Sequence, residues 1–255
     1  MLATRAFEYW TFTAIRTWRL TFFVNVVTPV MFLAAMGLGL GHLVDSHGSG
    51  SLGGSSYLDF LAPALVAATV FQTAVNEATY PVMASIRWMR TYDAMLATPL
   101  RVVDVMRGHL SFIVARSALV GLLFLAATAL FGVIQSPWVV LCIPAVVLLA
   151  AGCALPVAAF SATITEEVWF AVLLRLVVVP LFLFSGTFAP LSALPDAVAL
   201  VARVTPLWHA VSLCRDGSSG HVQLGSTLMH LAYLSTLTGL GYAWCTRAFK
   251  RRLLA

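Results

Sequence analysis

The sequence predicts an all-α, polytopic membrane protein with six transmembrane helices, and three observations carry that prediction. Hydrophobic residues make up 60% of the 255 residues and charged residues only 10%, against about 45–50% and about 25% in an average globular protein. Apolar runs of about twenty residues, enough for a helix to cross a hydrocarbon core of about 30 Å, recur along the chain. They lack the alternation over about ten residues that marks a transmembrane β-strand.

The runs fall at 22–41, 57–78, 110–132, 139–160, 168–188 and 228–245. Basic residues then set the direction. With the N-terminus inside, the cytoplasmic side holds Arg5, Arg16, Arg19, Arg87, Arg90, Arg101, Arg107, Arg247, Lys250, Arg251 and Arg252, and the outer side only Arg203 and Arg215. That asymmetry obeys the positive-inside rule and puts both termini in the cytoplasm. The net charge of +5 is spread over the ends of apolar runs, which speaks against a nucleic-acid-binding face. Cys142, Cys153, Cys214 and Cys245 are scattered and form no C-x-x-C, so neither a disulfide framework nor a zinc site is implied. This topology places Cys214 outside and Cys245 at the inner interface. The first apolar run starts late and lacks an A-x-A-like site, unlike an ordinary signal peptide.

Each segment has its own signature. In residues 2–20, Phe7, Trp10, Ala14 and Trp18 share one face at 100° per residue, with Arg5 and Arg16 opposite. An amphipathic helix in the cytoplasmic interface is expected; the simpler alternative is an extension of the first span. Residues 42–56 read as a Gly/Ser-rich outer loop. Within the second span, Gln72 and Asn76 stand at i, i+4, suited to bonding another helix or lining a polar conduit. Glu77 follows near the inner end, within reach of a loop arginine.

The inner loop 79–109 carries a short helical pattern. Trp88, Tyr92 and Met95 recur at i, i+4, i+7 and form one apolar face, and Pro99 ends the helix. Such a face needs cover from a partner subunit, the headgroup region or the protein's own spans. Residues 135–138 form a tight outer turn, and 161–167 a short inner loop with Glu166 and Glu167. Arg116 and Arg175 lie about two turns inside their spans and are placed to snorkel, Arg175 also to reach Glu166 or Glu167.

The fifth span ends in Ser185-Gly186-Thr187-Phe188-Ala189-Pro190, then Pro195, then Thr205-Pro206-Leu207-Trp208. Gly186 and the prolines prevent helix continuation. Interrupted backbone at membrane depth must be buried in protein or line a cavity. The stretch 189–227 therefore reads as an outer gate or re-entrant hairpin, with Ser185, Gly186, Phe188, Pro190, Pro195, Pro206 and Trp208 as its candidate residues.

Several chemistries are missing. There is no G-x-x-x-x-G-K-[ST], and the only lysine is Lys250 near the C-terminus, so no phosphate-cradling loop is available. Gly37, Gly39 and Gly41 end a span and suit close helix packing better than dinucleotide binding. The six histidines include no H-E-x-x-H. Ser185-Gly186 lacks the first glycine of G-x-S-G, although His230 lies on the same side of the membrane as Ser185. Two rival classes stay open on these residues: a membrane-embedded enzyme using Ser185 and His230, or a stand-alone channel or scaffold.

Taken together, the amphipathic N-terminus, the Leu96-Ala97-Thr98-Pro99-Leu100 stretch, the Phe184–Pro195 pattern F-S-G-x-F-x-P-x-x-x-L-P, Thr205-Pro206-Leu207-Trp208-His209 and Arg215 resemble the ABC-2 family of ABC-transporter permeases. The resemblance covers essentially the whole chain. Arg90-Thr91-Tyr92-Asp93-Ala94-Met95-Leu96 is especially similar to the nodulation-type lipo-oligosaccharide exporters. Drug- and polysaccharide-exporting branches often carry Gly-Thr before an acidic residue here; only Thr91 and Asp93 keep that form.

The resemblance implies a single transmembrane domain: interfacial helix (1–21), spans one and two (22–78), coupling loop (79–109), spans three to five (110–188), outer gate segment (189–227), and last span with basic tail (228–255). It also implies a homodimer in a bacterial cytoplasmic membrane, joined to two copies of a separate ATPase that binds ATP and Mg²⁺, with no cofactor in this chain. Arg87, Trp88, Arg90, Tyr92, Asp93, Met95 and Leu96 would couple to that ATPase. The exported substrate would be amphipathic: a glycolipid, lipo-oligosaccharide or hydrophobic drug.

Overall fold

The computed structural model describes residues 2–22, 27–35 and 56–254, and every regular element among them is helical. The order is α1 (Leu2–Phe22), α2 (Thr28–Ala35), α3 (Tyr57–Ala78), α4 (Tyr80–Arg87), α5 (Thr91–Leu96), α6 (Val102–Leu130) and α7 (Cys142–Thr163). Then come α8 (Val168–Leu173), a π-helical turn (Leu174–Val178), α9 (Val179–Phe184), α10 (Asp196–Arg203), α11 (Pro206–Ser219) and α12 (Leu224–Leu253).

Among the described residues, three helical stretches are long and apolar enough to cross a membrane: Tyr57–Arg87, Val102–Leu130 and Pro137–Thr163. A fourth is reached if α10 and α11, bent by 84° at a short break, count as one. The chain is thus a multi-pass membrane protein. The expected first span lies mostly outside the described residues, α2 being the part that is seen, as do Gly37, Gly39, Gly41 and most of the outer loop at 42–56. The expected fifth span appears as the shorter apolar stretch Val168–Phe184. The expected sixth is one 30-residue helix, α12, which continues through the basic tail and whose hydroxyls and cations keep it out of the apolar set.

The expected inner loop 79–109 is largely helical. Pro81 has no N–H to offer the Glu77 carbonyl, so the helix breaks at Thr79, whose Oγ1 donates to the Asn76 carbonyl at 2.8 Å. Beyond the break α4 carries the helical path to Arg87. α6 begins eight residues before the expected span because Asp104 caps it, accepting from the Arg101 N–H at 3.2 Å.

At the centre stands α3, packed against α6, α7 and α11. Its buried side chains are mostly small or branched, among them Ala62, Ala64, Val66, Ala67, Ala68 and Val70. Inside lipid, helices gain little from hydrophobicity and depend on close contact, which small residues permit. Gly121 of α6 lies directly against Val70, and Gly241 of α12 against Pro156, where a Cβ would sit 2.9 Å from the proline Cδ. Helix α1 lies against α6. Its crossing point is Gly108, where a Cβ would meet Ala6 and stand 2.9 Å from the Ala3 carbonyl oxygen.

Candidate coupling surface and outer gate

The segment between α4 and α5 turns on Arg90, whose φ of 50° makes it the one described non-glycine residue in the left-handed region. Holding a side chain there costs of order 1 kcal/mol or more. Arg90 pairs locally with Asp93, Nε to Oδ2 at 3.1 Å, with both side chains in solvent. On one side of this turn Trp88 is 54% exposed and Met89 75% exposed. On the other, Tyr92 is 0% and Met95 9% exposed.

The expected Trp88/Tyr92/Met95 face is therefore split, and its lower two-thirds is covered by the protein itself. Tyr92 packs among Trp10 of α1, His109 of α6 and Phe249 of α12, with ring centroids 6.4, 5.8 and 5.8 Å away. Burial pushes the Tyr92 phenol above its ordinary pKa, and its hydroxyl shares a hydrogen bond with His109 Nδ1 at 2.5 Å. Trp10 lies flat on the His109 ring, centroids 3.7 Å apart and planes 7° from parallel. One aromatic junction thus fastens α5 to three helices. Leu96 is half-buried, and Arg87 reaches across to donate to the Thr165 carbonyl. The loops at 79–109 and 161–167 therefore meet on one surface.

What this end leaves open is a groove of about 740 Å³ between α1 and α5, lined by Leu2, Arg5, Tyr9, Met89, Thr98 and Leu100 among others. With Met89 in its lining it offers apolar side chains beside the Arg5 cation. Sequence reasoning singled out Trp88 and Arg90 but not Met89, Tyr9 or Leu100, since helical spacing does not reveal which residues flank a left-handed turn.

In the bundle, Glu77 pairs with Arg116 at 3.1 Å, both side chains about one-fifth exposed. The pairing is between two helices, not with a loop arginine. Asn76 is exposed and Gln72 half-buried on the same side of α3. Neither amide finds a side-chain hydrogen bond among the described residues. Arg175 sits in the π turn, exposed, with no carboxylate within 4 Å among the described residues; the expected contacts to Glu166 and Glu167 are not made.

At the opposite end, α9 stops because Gly186 takes φ 75°, a conformation that a side chain would strain. A Cβ there would also stand 2.6 Å from Leu191. Pro190 leads into a single 3₁₀ turn, Pro195 caps α10, and Pro206 occupies the first turn of α11. Thr205 caps α11, accepting from the Trp208 N–H at 3.3 Å, and its Oγ1 lies 2.9 Å from Ser185 Oγ. Phe188 packs edge-on to Phe182, centroids 5.2 Å apart.

Arg215 locks these pieces together. Its guanidinium donates to the carbonyls of Gly186 at 2.7 Å, Thr187 at 3.2 Å and Phe60 at 3.0 Å, and stacks 3.6 Å from the Phe60 ring centroid. A cation over the orphan carbonyls of a helix C-terminus is favourable both as a hydrogen-bond donor and as a charge. Below it, His209 and His230 meet Nδ1 to Nδ1 at 2.7 Å, and His209 stacks on Tyr233 at 3.9 Å.

These contacts separate Ser185 from His230. Ser185 is spent on Thr205 and the Leu181 carbonyl, and His230 on His209, so no serine–histidine nucleophile is assembled. Cys214, expected in an outer loop, is buried in α11, its carbonyl 3.7 Å from Cys142 Sγ, and all four cysteines are buried.

Comparison with known proteins agrees with this arrangement. The chain is 28% identical over 230 residues to nodulation protein J of Rhizobium leguminosarum bv. trifolii, covering 90% of this chain and 86% of that protein. It is 26% identical over 234 residues to nodulation protein J of Rhizobium meliloti, again 90% and 86%. With the Neorhizobium galegae protein of that name it shares 27% over 232 residues, 90% and 85%. The profile of the ABC-2 type transporter family matches residues 5–217. The profile covers more than four-fifths of the chain, and a chain matched to that extent is a transporter membrane subunit: it belongs to the ABC-2 type transporter family.

Proposed function

We propose that this chain is the permease of an ATP-driven exporter, working as a homodimer with two copies of a separate ATPase in a bacterial cytoplasmic membrane. Its cargo is an amphipathic molecule: a glycolipid, lipo-oligosaccharide or hydrophobic drug. The observation that carries this reading is the division of labour between the two ends. One end gathers an exposed Trp88–Met89 knuckle beside a groove, and the other a turn clamped by Arg215.

In this reading the six-span topology holds and both termini are cytoplasmic. The ATPase seats Trp88 and Met89, with Arg87, Arg90, Asp93 and Leu96 framing the contact and Tyr92 and Met95 holding it from behind. ATP and Mg²⁺ belong to the partner, and this chain carries no cofactor. The stretch Val168–Phe184 leaves Leu176, Val177, Val179 and Leu183 uncovered, and a second copy covers them. Gln72 and Asn76, polar side chains with no side-chain hydrogen bond among the described residues, line the conduit. The relatives' name, nodulation protein J, fits lipo-oligosaccharide export.

The reading is tested by reconstitution. The chain alone in lipid should hydrolyse no ATP above background, and hydrolysis stimulated by substrate should appear only when a copurifying ATPase is added. Robust hydrolysis by the pure chain overturns the proposal. Orientation has its own test. Because the native cysteines are buried, Ser192→Cys and Arg251→Cys can be labelled against a quiet background. An impermeant maleimide on intact cells should modify the first and spare the second; the reverse pattern inverts the topology.

A further inference from the structure

A second groove, of about 430 Å³, runs between α6, α7 and α12. Its volume is in the range of small-ligand sites, about 300–1,000 Å³. The walls are apolar, with Leu110, Val114, Val147 and Leu155, and room is made by Ala115 and Ala151. Only one end is strongly polar. There Arg107 donates from Nε to the Tyr242 hydroxyl at 2.6 Å, and its guanidinium carbon stands 5.4 Å from the ring centroid. Arg107 is exposed and has no carboxylate within 4 Å among the described residues.

We propose that this groove binds an anionic phospholipid, with one acyl chain along the apolar walls and the phosphate on Arg107 and Tyr242. Helices α6 and α7 are both long and apolar enough to span, so the groove opens toward hydrocarbon, where water cannot fill it. From Met106 to Ala118 it follows α6 for about 18 Å at 1.5 Å per residue, comparable to the roughly 15 Å depth of one leaflet's hydrocarbon. A helix of a second copy, about 10–12 Å across with its side chains, would need several times this volume over that length. A slender apolar chain with a negative head fits both the shape and the charge. Anionic lipids are the species of that description constantly present at a basic bilayer interface. Arg107 presents its fork to phosphate as bidentate pairs require.

The site does not depend on the exporter reading and is tested without the ATPase. Delipidated chain is titrated with phosphatidylglycerol or phosphatidylcholine of identical acyl chains, and bound lipid is counted by native mass spectrometry. The expected result is one phosphatidylglycerol retained per chain, at least tenfold more tightly than phosphatidylcholine. Arg107→Gln should erase that preference. Ala115→Trp, at an exposed position where folding tolerates bulk, should block retention of both lipids while the elution profile is unchanged. Equal retention of the two lipids, or retention indifferent to both substitutions, overturns the proposal. So does a disulfide between two copies carrying Ala115→Cys, which would put a second chain in the groove.

Discussion

Trp88→Ala combined with Met89→Ala is expected to abolish export and release the chain from its ATPase while leaving insertion and thermal stability close to those of the parent. Both side chains project into solvent, and truncating exposed residues seldom moves stability by more than about 0.5 kcal/mol. Seated in a partner cleft, each would contribute about 1.5–3 kcal/mol. Losing both weakens association by about two to four orders of magnitude, at 1.4 kcal/mol per tenfold. Tyr92→Ala should fail differently. It removes a fully buried ring, worth about 3–5 kcal/mol, and takes from His109 Nδ1 its hydrogen-bond partner. Folded protein should fall before any question of docking arises. Copurification, vesicle transport and a melting curve on the three proteins separate the cases. A Trp88/Met89 double variant that stays fully coupled moves the docking site to the neighbouring inner loop held by Arg87.

The second large effect is expected at Arg215. Three hydrogen bonds from one guanidinium hold Phe60, Gly186 and Thr187, and bonds involving a charged partner are worth about 1.5–3 kcal/mol each. Arg215→Gln should therefore free the turn after α9. Amide exchange across 185–195 should accelerate at least tenfold, and the assembled exporter should hydrolyse ATP without moving substrate. Arg215→Lys keeps the charge but not the planar fork, and should restore the melting temperature only in part. Unchanged exchange in the glutamine variant would show that the turn is held by Ser185 and Thr205 alone.

How far the sequence could be read is best judged at these same residues. Helical class, the bend between α10 and α11 and the breaks at Gly186, Pro190, Pro195 and Pro206 follow from local rules, because glycine and proline act on their own backbone. The transporter family was legible from local motifs such as Leu96–Leu100 and Phe184–Pro195. What spacing could not reveal is which neighbour covers a face. Tyr92 and Met95 share a helix side with Trp88 by periodicity, yet Arg90 turns the chain between them and Trp10, His109 and Phe249 close over the inner pair. Arg116 with Glu77, from α6 and α3, and His209 with His230, from the consecutive helices α11 and α12, are likewise meetings that spacing does not reveal. Only the packed bundle brings them together.

The Tyr92–His109–Trp10 junction has a mechanical consequence. If the ATPase docks as proposed, a knuckle on a loose tether would absorb its push by bending; this segment is bolted through aromatic rings to α1, α6 and α12. Force delivered at Met89 has no slack to take up. It travels into α12, a rod of 30 residues, about 45 Å long at 1.5 Å per residue. Tilting such a rod by about 4° at its Leu253 end would sweep His230, about 35 Å along it at 1.5 Å per residue, through about 2 Å. That stroke is comparable to the hydrogen-bond lengths that hold the outer turn shut, so the lever needs little travel to break them.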